Sequence, residues 1–121
     1  MKELLLVCAG SLLGGGMRYL VSVLFRMLGM PVVPLATITV NVLGCFLIGL
    51  LSGTSFNGIC SPSVKLFLVT GFCGGFTTFS TFMNENVMLA GNNGLLQALL
   101  YTFLSLFLGV VAVVAGYALA K

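Results

Sequence analysis

The sequence predicts an all-α membrane protein of four transmembrane helices, the third broken near midspan, and three observations carry that expectation. Of the 121 residues, 60% are hydrophobic and only 6% are charged, with a mean hydropathy of +1.22. Soluble domains carry roughly 25% charge and 45–50% apolar residues, so lipid is the expected solvent. The five basic and two acidic residues leave residues 27–64, 66–84 and 86–120 free of charge, and a spanning helix needs about 20 apolar residues. Turn-forming punctuation then divides the chain: Gly29 with Pro31 and Pro34, SGTSFNGICSP from Ser52 to Pro62, and GNNG from Gly91 to Gly94. The expected spans are residues 4–28, 35–53, 64–89 and 95–120, one integral domain over 1–121. They are helical because only helices and closed barrels satisfy their backbone in lipid, and alternating barrel strands are absent.

Span one opens MKELLLVCAGSLLGGG, with the Lys, apolar run and small residues of a signal peptide. Glu3 sits in the polar start, however, and the chain after it is just as hydrophobic, so this stretch reads as a span. Cys8 follows Val7, where a lipid-modified leader usually has a small residue. Arg18 lies well inside the span, where a charge costs at least about 2.5–3.5 kcal/mol. It should face an aqueous vestibule or a partner; the alternative is that it snorkels to the interface.

Span two, in TITVNVLGCFLIG, places the Asn41 amide in an apolar helix, with Thr37 one turn before it and Gly44 almost one turn after. Span three is KLFLVTGFCGGFTTFSTFMNENVM. Gly71, Gly74 and Gly75 each cost about 1 kcal/mol relative to Ala in a helix interior, and the hydroxyls of Thr77, Thr78, Ser80 and Thr81 follow. That pattern favours a break, which membranes tolerate only where it is buried in protein or lines a wet cavity. Carbonyls freed there could hold a cation, and the half-helix N-terminus that follows could favour an anion. The alternative is that the glycines allow close helix approach, Gly71 and Gly75 as a small-xxx-small pair, with hydroxyls bonding back to i−4 carbonyls. Phe76, Phe79 and Phe82 recur every third residue, so neighbouring pairs share a face, and their positive ring edges lie beside hydroxyl donors. Span four sets Tyr101 and Ser105 four apart on one face.

These midspan groups are donors, with no acid until Glu85, which reads as an interfacial anchor or an arginine partner. A donor-rich, carboxylate-poor inventory suits an anion path better than a proton or metal-cation path. With no His and two acids, general acid/base chemistry lacks its parts, so an enzyme is not expected. Five scattered basic residues form no patch for nucleic acid. Cys8, Cys45, Cys60 and Cys73 lack metal-site spacing and read as small apolar residues. Four spans put both termini and the 54–63 loop on one side with Lys2, Lys65 and Lys121, against Arg26 and, depending on its depth, Arg18. A bias that shallow fits either a chain inserting both ways as an antiparallel homodimer, or one orientation with a noisy count.

GFCGGFTTFSTF at 71–82 resembles, at essentially every position, the third-helix signature of the Fluc (CrcB) fluoride channel family. The segment from Gly10 through GGGMRY to Tyr19 is similar to the family's first-helix motif, and TITVNVLGCFLIG to its second. Two departures are mild: Gly15 stands where the family often has Ala, and Ala36 where it often has Gly. The resemblance implies an antiparallel dual-topology homodimer in the inner membrane of a prokaryotic cell. It also implies two fluoride pores along the dimer interface and a structural Na+ on the two-fold axis. On this sequence the Na+ ligands would be the backbone carbonyls of Gly74 and Thr77. The pore rings would be Phe79 and Phe82, the pore amide Asn41, the polar track Ser80, Thr81, Tyr101 and Ser105, and the vestibule arginine Arg18. Fluoride as the anion and Na+ as the cation come from the resemblance alone. A small multidrug-resistance-type proton-coupled exporter shares the length and span count, but would want a deep carboxylate where span one has Arg18. In a third reading, a membrane assembly protein, the same polar groups are packing glue.

Overall fold

The computed structural model describes residues 1–53 and 61–121. Cys60 and most of the loop expected at 54–63 lie outside them. Among the described residues the chain is all helical, and four stretches are long and apolar enough to cross a membrane: Lys2–Met27, Leu35–Ser52, Pro62–Gly91 and Leu95–Leu119. The chain is therefore a multi-pass membrane protein. The ends differ from the expected ones by one or two residues.

Local chemistry sets these ends. Helix α1 (Lys2–Met27) stops where Gly29 takes φ 71°, allowing Met30 N–H to donate to the Phe25 carbonyl at 2.9 Å and Gly29 N–H to Arg26 at 3.1 Å. This is the closure that glycine permits after a helix. Helix α2 (Leu35–Ser52) follows the proline-bearing turn. The third span starts at α3 (Pro62–Lys65), capped by the Ser61 hydroxyl, which accepts from Val64 N–H, with Pro62 in the first turn where its missing N–H costs nothing. It continues as a π-helical segment, Leu66–Cys73, and one α-turn, α4 (Gly74–Phe76). The helix breaks over residues 77–79, where Thr77 is extended at φ −85°, ψ 161°, and resumes as α5 (Ser80–Gly91). Asn93, at φ 60°, turns the chain into α6 (Leu95–Leu119).

Two packed pairs make the fold: α1 lies along the π-helical segment and α4, and α2 along α6, while α5 packs chiefly on α6. The first seam is where the glycines act. A Cβ at Gly71 would come within 2.9 Å of the Gly10 Cα, and one at Gly75 within 2.6 Å of the Ser11 carbonyl oxygen. Backbone meets backbone there, and Ser11 Oγ donates to the Gly71 carbonyl at 3.3 Å. Gly71 and Gly75 thus serve close approach, and all three glycines of the span remain helical. The break falls after them, at the threonines, so both readings of the span hold at adjacent positions.

The Phe76, Phe79, Phe82 stripe is interrupted by this break. Phe76 is buried on the near side and stacks on Phe72 at 5.6 Å, whereas Phe79 and Phe82 belong to the α5 side. Leu4, Leu12, Leu24, Phe103, Phe107 and Val114 are exposed, as befits helices whose outer faces meet hydrocarbon.

Candidate functional site: a groove at the broken helix

The break is held by span two. Asn41 Nδ2 donates to the Thr78 carbonyl at 3.0 Å, and Thr78 N–H donates to Asn41 Oδ1 at 2.8 Å. One amide therefore satisfies both backbone groups of Thr78. Thr78 Oγ1 in turn accepts from Thr81 N–H at 3.2 Å, capping α5 in the way a threonine caps a helix. Thr77 hydroxyl bonds back to the Cys73 carbonyl at 2.8 Å, and its methyl fills the space over Gly44.

These bonds release two carbonyls. In a continuous helix Gly74 would accept from Thr78 N–H and Thr77 from Thr81 N–H, but both donors are diverted, to Asn41 Oδ1 and to Thr78 Oγ1. Gly74 is exposed, with nothing within 4 Å of where a Cβ would stand. Its carbonyl and that of Thr77 are hard oxygen donors of the kind an alkali cation takes.

Two cavities adjoin Thr78. The first, of about 510 Å³, is a groove lined by Asn41, Cys45, Thr77, Thr78, Phe79, Phe82 and Ser105, with an aliphatic wall that includes Ile48 and Val113. Phe79 and Phe82 meet edge to face at 6.2 Å and 61°. Among the described residues the buried Ser105 hydroxyl has no hydrogen-bond partner. A buried hydroxyl without a partner at the wall of a groove is an available donor. The second cavity, of about 280 Å³, lies toward the end carrying residues 28–34 and is lined by Arg18, Ser22, Thr37, Thr78, Thr81 and Glu85. Arg18 thus faces a polar cavity.

Glu85 corrects the sequence reading. It is 5% exposed, accepting from Thr37 Oγ1 at 3.0 Å and from Tyr101 Oη at 2.8 Å. It is neither an interfacial anchor nor, among the described residues, half of an ion pair with arginine, because two hydroxyls from α2 and α6 cover its oxygens. Tyr101 accordingly spends its hydroxyl on Glu85, and its ring packs edge-on against Phe82 at 4.9 Å and 86°. Ser80 is exposed and lines neither cavity, and Phe79 is 72% exposed. The remaining expected residues gather around Thr78.

Sequence reasoning named Thr78 only as one of the hydroxyls after the glycines and gave it no place in the site, and it treated Thr37 as a neighbour of Asn41 rather than as a ligand of Glu85. The paired threonines of GFCGGFTTFSTF were the available signal for the first. For Thr37 there was none, since its partner lies 48 residues away. Cys45 and Cys73, expected to be small apolar residues, are free thiols, Cys73 fully buried.

Fold and site together define a multi-pass membrane protein with a groove at a broken helix, lined by an amide, hydroxyls and aromatic rings. Sequence comparison narrows this. The family profile described as "CrcB-like protein, Camphor Resistance (CrcB)" matches residues 5–117. A "Fluoride-specific ion channel FluC" of Flavobacterium psychrophilum is 43% identical over 122 residues, covering 100% of this chain and 98% of the relative. Proteins of that description from Chlorobium chlorochromatii and Chlorobium luteolum are 46% and 48% identical, each over 98% of this chain and 92% of the relative. The chain belongs to the CrcB family, a family of channels and not of enzymes.

Proposed function

We propose that this protein is a fluoride-selective channel through which fluoride leaves the cytoplasm of a prokaryotic cell passively across the inner membrane. The observation that carries the reading is the groove at the break, where the Asn41 amide, the orphan Ser105 hydroxyl and the Phe79–Phe82 ring edges converge without a formal charge. A small, strongly hydrated anion needs donors that replace its water, and hydroxyls, amides and ring edges supply them. The names carried by relatives 43–48% identical point to the same ion. Arg18, in the adjoining cavity, draws the anion in, and Thr81, Thr78 and Asn41 lead on to Phe79, Phe82 and Ser105.

In this reading two copies pair antiparallel, each inserted in the opposite sense, and their interface completes two pores. The exposure of Phe79 and Ser80 supports a partner surface there, where both would join the path. Na+ on the two-fold axis, held by the Gly74 and Thr77 carbonyls of both copies, would tie the two breaks together by charge. The diversion of the Thr78 and Thr81 N–H donors away from these two carbonyls supports that assignment.

Proteoliposomes loaded with fluoride release it when a potassium ionophore balances charge, and retain chloride. Equal chloride release, or flux unchanged by Phe79→Ile combined with Phe82→Ile, overturns the reading. One observation favours a proton-coupled exporter: Glu85 is the buried carboxylate that such a protein needs. Drug-induced proton uptake lost in Glu85→Gln is its signature, and fluoride efflux without proton movement excludes it.

A further inference from the structure

We propose that Asn86 and Thr102 are positioning residues for the anion path: they lock the register of α5 on α6 and thereby hold the Phe82 ring at the groove. The inference rests on the channel reading above. Helix α5 starts after the break, so the rest of its span does not fix its rotation, and it packs chiefly on α6.

Two adjacent polar rungs join the pair. Tyr101 Oη donates to Glu85, and Thr102 Oγ1 donates to Asn86 Oδ1 at 2.9 Å, each across a separation of 16 residues. Asn86 Nδ2 then donates to the Phe82 carbonyl at 3.0 Å. The Thr102 hydroxyl is also 2.9 Å from the Ala98 carbonyl, sharing its proton between its own helix and α5.

Glu85 ties α5 at one point, to Tyr101 on α6 and to Thr37 on α2, and a second rung from the next residue fixes the rotation of α5 about that point. A slip of one residue moves a helix by about 1.5 Å and turns it by about 100°. That would carry Phe82, 6% exposed and edge-on to the Tyr101 ring at 4.9 Å, away from the groove wall. Asn86 and Thr102 line neither cavity near Thr78, so their effect on the ion acts through Phe82.

Thr102→Val is nearly isosteric and removes the hydroxyl, Thr102→Ser keeps it, and Asn86→Ala removes the rung from the other side while leaving the Thr102 bond to Ala98. Fluoride efflux is expected to fall about fivefold in Thr102→Val and in Asn86→Ala, the factor that loss of one buried hydrogen bond produces. It should stay at the wild-type rate in Thr102→Ser, and the double variant should be no slower than either single one. A 4-fluorophenylalanine at position 82 should give one ¹⁹F line in wild type and Thr102→Ser, and a shifted or split line in the other two. Wild-type flux and line shape in Thr102→Val, a Thr102→Ser as slow as Thr102→Val, or additive losses in the double variant overturn the proposal. Wild-type efflux no faster than from empty liposomes overturns the channel reading alone, and the ¹⁹F line then decides the register lock by itself.

Discussion

Thr78 has its N–H and carbonyl on Asn41 and its hydroxyl under Thr81, so the groove is organised around a residue whose own polar groups are occupied. Asn41→Asp keeps an oxygen for the Thr78 N–H but removes the donor to its carbonyl and sets a negative charge in the groove. An unsatisfied buried acceptor costs about 1–3 kcal/mol, so fluoride efflux should fall by at least about fivefold; wild-type efflux would remove Asn41 from the path. Ser105 is the opposite case. Its hydroxyl has no partner to lose, so Ser105→Ala should leave the thermal midpoint in detergent unchanged while slowing fluoride efflux. A drop in midpoint without a change in efflux would make the hydroxyl structural. The Asn41 amide and the Ser105 hydroxyl were conspicuous in the sequence because apolar residues surround them. Glu85 was misread because the hydroxyls that cover it come from other helices.

At the scale of elements, the third span is two half-helices with different attachments. The first half is bound to α1 through the glycine seam, and the second to α6 through polar rungs and the Phe82–Tyr101 ring contact. Gly75→Val pushes a side chain into the Ser11 backbone, which a Cβ alone would approach to 2.6 Å. Overpacking of that kind costs about 1–3 kcal/mol. The variant should therefore unfold at lower denaturant concentration than wild type, and an unchanged midpoint would show that α1 can move aside. That the span would break was legible from glycines followed by hydroxyls. Where it breaks was not, because local propensity places the weak point at the glycines, and the bonds from Asn41 place it at residues 77–79.

At the scale of the whole molecule, Gly74, Phe79 and Ser80 lie exposed on the outside of the chain. Gly74→Val meets no atom within 4 Å of its Cβ inside the subunit. The antiparallel homodimer therefore predicts that this variant keeps its helix content but sediments as a monomer and loses efflux, in contrast to Gly75→Val; a conducting dimer would argue against carbonyls facing a shared axis. Dual insertion predicts C-terminal reporters on both sides of the membrane, and reporters on one side only would exclude it. The sequence by itself determined the solvent, the number of spans and the family, because hydropathy, charge spacing and a contiguous motif are local properties that survive without a fold. Only the tertiary structure decided that Asn41 holds Thr78 across 37 residues, that Thr37 and Tyr101 cover Glu85, and that Ser105 is left unpaired. A polar group in lipid must find a partner, but periodicity along one helix does not say which group on another helix will reach it.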